Sequence, residues 1–265
     1  MEHQGVLSKM RTEIGSPINY YLKFDTKEVH LNNLIEKELT IIFEGYQCLN
    51  CSKKKKIYRQ GHCYDCFYKS PHVGDWVIRP ELSTAHLGIE DRDLEYEKQA
   101  QLQPHVVYLA LSSDVKVGVT RKSQVPTRWI DQGANEALAI LEVPNRYLAG
   151  ITEVALKEHL SDKTNWRKML KNDVVEEDLE EIREQLEPLI PDEVKDYYYD
   201  CDEELTVLNF PIVNYPKKVK SLNLSKTPKY SGKLIGIKGQ YLIFEDDTVF
   251  NIRSNEGTII SLNLN

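Results

Sequence analysis

The sequence predicts an α+β protein in which β segments at both ends flank a cysteine knuckle and a mixed central region. Three observations carry that expectation. Short runs rich in β-branched and aromatic residues gather at residues 5–43 and 232–262. Two Cys-x2-Cys pairs stand close together between residues 48 and 66. From residue 105 to 170 the pattern reads strand, strand, helix, strand, helix. The expected organisation is an N-terminal β segment (1–44), a four-cysteine ribbon (45–72), a connecting segment (73–103), a central domain (104–172), an acidic helical segment (173–204) and a C-terminal β segment (205–265).

At the N-terminal end, Gly5–Met10, Ile18–Phe24 and Leu39–Phe43 read as strands. The C-terminal end repeats the style with Gly232–Ile237, Gln240–Phe244, an Asp246-Asp247 turn, Thr248–Ile252 and Gly257–Leu262. Each end orders a Gly-led strand, a Tyr-bearing strand, an acidic turn, an Asn-containing strand and a Thr-Ile-Ile strand. The two ends are therefore either related β units, as two small barrels or two parts of one, or short strands that merely look alike.

Composition narrows the classes available. With 265 residues, 41% of them hydrophobic, the chain can bury a core over one or two domains and is not largely disordered. Its longest apolar runs, such as Val106–Leu111, fall far short of the roughly 18 residues a membrane span needs. The Met1–Gly5 start lacks a cationic region and apolar run, so a cytoplasmic location without membrane association is expected. Five cysteines, an odd count, argue against a disulfide framework.

The formal charge of -7 conceals an asymmetry. Residues 165–204 hold 15 acids and 5 bases, whereas residues 45–72 hold 6 bases and a single acid, Asp65. Local field rather than the sum governs polyanion binding, so nucleic acid stays open as a partner.

Cys48-x2-Cys51 and Cys63-x2-Cys66 are separated by eleven residues. Two residues between cysteines let both thiolates point at one ion, and two such knuckles close a tetrahedral site with Zn–S distances near ~2.3 Å. Four protein ligands leave no position for water, so Zn2+ here is expected to be structural; a redox dithiol or an iron–sulfur cluster is the alternative. His62 adjoins Cys63 without being needed, and Cys201 stands alone in acidic surroundings. The joining loop carries Lys53, Lys54, Lys55, Lys56 and Arg59, which can neutralise phosphates, and Tyr64, Phe67 and Tyr68 can stack on bases. The plainer reading is a solubilising turn with aromatics serving the metal core.

Further along, Asp75–Pro80 reads as a strand stopped by proline and Ile89–Gln103 as a helix. His86, Asp91, Asp93 and Glu95 belong to a charged loop that either is solvated or lines a cleft. Val106–Leu111 and Val115–Thr120 form a hairpin about Ser112-Ser113-Asp114. Thr127–Gln132 is a helix closed by Gly133, and Glu136–Val143 a further strand. Thr152 is placed to cap a helix over Glu153–Leu160. Between Asp173 and Leu189, Leu179, Ile182, Leu186 and Leu189 give an amphipathic helix, whose acidic face is solvated or meets a basic protein partner.

The central order carries chemistry. His105–Leu109 precedes Lys116-Val117-Gly118, Arg128 sits on the next helix, Glu153 opens the one after, and Asn165 follows. It resembles the GIY-YIG nuclease superfamily over roughly residues 104–170, about a quarter of the chain. The first motif falls on Val106-Val107-Tyr108 and the second on Lys116-Val117-Gly118. The whole arrangement, knuckle first and Gly236–Tyr241 last, is also similar to a bacterial family of uncharacterised function with this core. The resemblance implies phosphodiester hydrolysis with one Mg2+ or Mn2+ held by Glu153, phosphate clamping by Arg128, Tyr108 beside the attacking water, and Asn165 steadying the site.

The chain departs from the superfamily where the second motif has Lys116 in place of tyrosine and the first has Val106 in place of glycine. That leaves open Lys116 or Tyr108 as general base, some other base, or a core retained for binding only. Each residue also has a plainer use: Tyr108 in a core, Glu153 at a helix start, Arg128 paired with Asp131 or Glu136. The functional classes from sequence are thus a nucleic-acid-binding endonuclease, a non-catalytic nucleic-acid adaptor, or a zinc-stabilised protein-interaction module.

Overall fold

The computed structural model describes residues 2–24, 27–160, 165–198 and 204–264. In chain order, the first stretch gives β1 (Glu2–Val6), β2 (Arg11–Glu13), β3 (Asn19–Phe24), β4 (Lys27–His30), β5 (Glu38–Tyr46) and the short helix α1 (Tyr64–Lys69). The middle gives α2 (Leu94–Gln101), β6 (His105–Leu111), β7 (Val115–Arg121), α3 (Thr127–Asp131), β8 (Glu136–Val143), α4 (Arg146–Lys157), α5 (Trp166–Lys171), α6 (Leu179–Leu186) and β9 (Thr206–Val207). The last stretch returns to strands: β10 (Lys220–Ser221), β11 (Lys229–Lys238), β12 (Tyr241–Phe244), β13 (Thr248–Asn251) and β14 (Thr258–Leu264). These form two compact units, one from Met1–Lys69 with Asn209–Asn265 and one from Ser70–Leu208.

In the first unit the two ends of the chain share a seven-stranded sheet ordered β1-β14-β5-β11-β12-β13-β10, beside a three-stranded sheet β2-β3-β4. β5 runs antiparallel to β11 on one side and β14 on the other, so Ile41 faces both Tyr230 and Leu262. The N-terminal and C-terminal β segments are therefore parts of one sheet. Leu39 and Ile41 are fully buried, as are Ile237, Phe244 and Phe250 from the other end. Gln240 joins the ends again: its buried side-chain amide accepts from the Met10 amide at 2.8 Å and donates to the Met10 carbonyl at 3.2 Å. Satisfying that backbone pair inside the core lets β1 stop at Val6 rather than run on to Met10.

In the second unit a sheet ordered β7-β6-β8-β9 is antiparallel throughout. Val107, Leu109, Val117 and Leu138 share one core with Ala149 and Leu156 of α4 and Leu179 and Leu186 of α6. Because side chains alternate along a strand, Tyr108, Lys116 and Gly118 lie on the opposite face from Val107, Leu109 and Val117.

Several local expectations are corrected. Asp75–Pro80 forms no strand but falls in 3-10 turns at Asp75–Val77 and Pro80–Leu82. Their hold is on α4: Arg146 donates to the carbonyls of Trp76 (3.0 Å) and Val77 (2.8 Å). The helix expected from Ile89 begins at Leu94, where the Asp93 side chain accepts from the Tyr96 amide. Buried Glu97 accepts the amides of Asp91, Arg92 and Asp93, which fixes the preceding loop. Thr152 is not a cap. α4 starts at Arg146 with Asn145 capping the Leu148 amide, and the Thr152 hydroxyl donates to the Leu148 carbonyl inside the helix. α6 is shorter than its hydrophobic pattern, since Asp178 caps it and Leu189 lies in the following 3-10 turn. Among the described residues no helix is long and apolar enough to cross a membrane.

Gly150 marks where α4 meets the 3-10 turns. A Cβ there would lie 2.2 Å from the Glu81 nitrogen and 2.4 Å from the Pro80 carbonyl carbon, both backbone atoms that cannot swing aside. Gly150→Ala should therefore lower the unfolding free energy by about 1–3 kcal/mol, read as an earlier chemical-denaturation midpoint.

Candidate functional site

Two constellations stand out, one in each unit. In the first, the sulfurs of Cys48, Cys51, Cys63 and Cys66 all lie within 4.8 Å of one another. A tetrahedral tetrathiolate requires sulfurs about 3.8 Å apart, so the donor set fits zinc. All four are free thiols, and Cys51 Sγ and Cys63 Sγ stand 4.0 Å apart, about twice a disulfide bond length.

The backbone builds this cluster locally. The Ser52 amide donates to the Cys48 carbonyl at 2.9 Å, and the Cys63 amide points at Cys48 Sγ at 3.3 Å. Burial alone would push the Cys48 thiol up, but amides of Cys51, Cys63 and Asn50 aimed at the sulfur bring it down to about 6. His62 turns its Nδ1 to the Gln60 carbonyl at 2.6 Å, outside the four-sulfur cluster. Cys201 lies outside the described residues. On the joining loop Lys53, Lys54, Lys55, Lys56 and Arg59 are exposed, and Lys55 is paired with Asp65 at 2.8 Å.

The second constellation surrounds Tyr108. This side chain is wholly buried, and its ring occupies the space opposite Gly118 on the neighbouring strand. A Cβ at Gly118 would come within 2.7 Å of the tyrosine hydroxyl. Trp129 of α3 packs against the ring with centroids 5.8 Å apart. Burial raises the Tyr108 pKa above its ordinary value, the charge of Arg128 opposes that rise, and Glu153 adds to it. Arg128 and Gln132 lie beside the hydroxyl, yet neither meets it in hydrogen-bond geometry; Tyr108 OH, Trp129 Nε1 and Gln132 Oε1 are all buried without a partner. Buried polar atoms without a partner are costly unless something else satisfies them.

Glu153 is half-buried on α4. Burial lifts its carboxyl above the usual range, Lys157, Arg146 and Arg128 pull it down, and Glu81 raises it. Arg146 is lowered to about 10 by burial, with Glu153 acting against that. The fold thus brings Tyr108, Arg128 and Glu153 into one another's fields. Lys116 is half-buried and pairs with Ala110 two residues along the hairpin, on the Tyr108 face. Asn165 is placed elsewhere: its side chain accepts from the Arg167 and Lys168 amides as the cap of α5, and its own amide donates to Ser113 Oγ in the hairpin turn.

Three neighbours are absent from the sequence reading. Gln132 could have been found, since it follows Arg128 by one helical turn and shares its face. Arg146 stands two helical turns before Glu153 on α4 and was hidden only because the helix was expected to start later, whereas Glu81 carries no local signal, since only the docking of the 3-10 turns on α4 brings it near Glu153. The charged loop residues serve structure: Asp93 caps α2, Glu95 pairs with Lys98 at 3.0 Å, and His86 stacks on Tyr147.

Fold and site together define a two-unit α+β protein with a four-cysteine cluster in one unit and, in the other, a buried Tyr108 within the fields of half-buried Arg128 and Glu153. The chain belongs to the family described as protein of unknown function (DUF2797), whose model matches residues 36–260. No curated protein and no solved structure gives a match.

Elemental analysis of protein purified without chelator should find close to one zinc per chain, lost in Cys51→Ser; a visible absorption band with iron in its place would contradict the zinc assignment. Glu153 gives a pH-dependent expectation. Its folded pKa lies above the unfolded value, so its ionisation opposes folding as pH rises through the interval between them. Glu153→Gln should melt higher than wild type at pH 7, with the gain vanishing below about pH 4.3, where the unfolded glutamate is protonated too.

Proposed function

We propose that this chain binds nucleic acid and hydrolyses its phosphodiester linkages with one divalent cation at the Tyr108–Arg128–Glu153 constellation. The observation that carries the reading is the mutual electrostatic reach of these three side chains, whose order along the chain resembles the GIY-YIG nucleases. Supporting it is the antiparallel β7-β6-β8 arrangement, with α3 and α4 supplying the arginine and the glutamate.

The donor set suits a hard cation, since Glu153 offers carboxylate oxygens and Glu81 stands within its field. Mg2+ or Mn2+ bound there would supply charge stabilisation for the departing oxygen. Arg128 clamps the non-bridging phosphate oxygens as a planar fork of donors. Burial keeps Tyr108 protonated at neutral pH, so its enclosed hydroxyl stays uncharged beside Arg128 and helps set that side chain for the phosphate. Lys116, on the same sheet face, takes the proton of the attacking water as a neutral amine, its ammonium having first given a proton to solvent. Water adds to phosphorus, the bond to the departing oxygen breaks, and that oxygen takes the proton from the Lys116 ammonium. The cationic loop of the cysteine knuckle adds phosphate contacts through Lys53, Lys54, Lys55, Lys56 and Arg59.

Labelled single-stranded, duplex and branched DNA and RNA, incubated with Mg2+ or Mn2+, test the reading. Cleavage should need the cation and fall about 10²–10³-fold in Arg128→Ala and in Glu153→Gln, with binding retained. Binding without cleavage in the wild type would leave the adaptor reading, and no binding at all would leave the protein-interaction module.

A further inference from the structure

The aromatic side chains of the cysteine knuckle do not pack under the metal cluster. α1 buries none of its residues, and Tyr58, Tyr64 and Tyr68 are exposed by 42%, 62% and 52%. Tyrosines that served the metal core would be covered by it. They stand instead as one patch: Tyr64 and Tyr68 rings lie 4.9 Å apart, and Tyr58 meets Tyr64 edge-on at 5.2 Å. Half-buried Phe67 backs Tyr58 at 5.3 Å. The patch is therefore held in place by its own ring contacts before any ligand arrives.

Cations rim this patch. The Arg59 guanidinium lies 5.5 Å over the Tyr58 ring. Lys53, Lys54 and Lys56 are exposed and make no ion pair among the described residues, and Lys69 closes α1. The only acid in this stretch, Asp65, is held by Lys55. An exposed cluster of aromatic rings beside positive charge matches a polyanion that also presents faces of rings. Duplex nucleic acid hides its base faces in the stack, whereas a single strand can turn them outward onto tyrosines.

We infer that the Tyr58–Tyr64–Tyr68 patch is a stacking platform that selects single-stranded nucleic acid, with Lys53, Lys54, Lys56 and Arg59 tracking its backbone. The inference rests on the nucleic-acid reading above and narrows it to an unpaired substrate.

Fluorescence anisotropy with the full zinc-loaded chain and a labelled oligothymidylate, against a labelled duplex of equal length, tests it. The single strand should bind more tightly, and Tyr64→Ala and Tyr68→Ala should each weaken it about tenfold or more while leaving the duplex unchanged. Tyr64→Phe should restore binding, and unchanged zinc content in each variant excludes loss of the knuckle. Lys53→Gln with Lys54→Gln should weaken both probes and flatten the salt dependence. Equal binding of both probes that ignores the tyrosine changes would overturn the platform while leaving the nucleic-acid reading intact. Absence of binding to either probe near 0.15 M salt would bring down both. Polyglutamate binding as tightly as oligothymidylate would overturn the platform in favour of an acidic peptide partner.

Discussion

Across the β6–β7 hairpin, the missing side chain of Gly118 leaves a space that the Tyr108 ring fills. Register makes this possible, because Tyr108 and Gly118 are direct partners in the antiparallel ladder. Any larger residue at 118 would drive the ring out, and with it the hydroxyl that lies beside Arg128 and Gln132. The burial that keeps the hydroxyl from water also raises its pKa and strengthens the neighbouring charges upon it. One small residue thereby determines both the packing of this face and the electrical character of the constellation built on it.

The tetrathiolate cluster plays a corresponding part in the other unit. Residues 47–62 have few buried apolar side chains of their own, and the knuckle is organised by sulfur, backbone amides and one short helix. A metal held by all four thiolates would supply the cohesion that a small core cannot. What it frees is the outer surface. With the ends of the chain already closed into a seven-stranded sheet, the aromatic and cationic side chains of the knuckle can face solvent at little cost to folding.

Much of this was legible in the sequence, and the exceptions have physical causes. Cysteine spacing sufficed to assemble the four sulfurs, because the knuckle geometry is local. The hairpin and Glu136–Val143 were equally plain, since dense β-branched runs leave few alternatives. By contrast, Asp75–Pro80 has strand-like composition, yet Arg146 of α4 takes the Trp76 and Val77 carbonyls and the segment forms 3-10 turns against that helix. Thr152 looked like a helix cap until Asn145, seven residues earlier, supplied a stronger one. Sharing of one sheet by the two ends could be suspected from their similar order, yet only long-range pairing decides it. Glu81 reaches Glu153 where its 3-10 turn docks on α4 at Gly150, a contact between distant segments that no window of sequence contains. Asn165, singled out by order alone, is an α5 cap at the hairpin turn.

The proposed chemistry rests on Glu153 offering a cation its carboxylate within reach of Arg128 and Tyr108. The most direct measurement is an electron paramagnetic resonance titration of the zinc-loaded protein with Mn2+. On this account the wild type takes up one Mn2+ per chain, and Glu153→Gln, folded and zinc-replete, takes up none. Equal Mn2+ uptake by the two proteins, or none by the wild type, would contradict it.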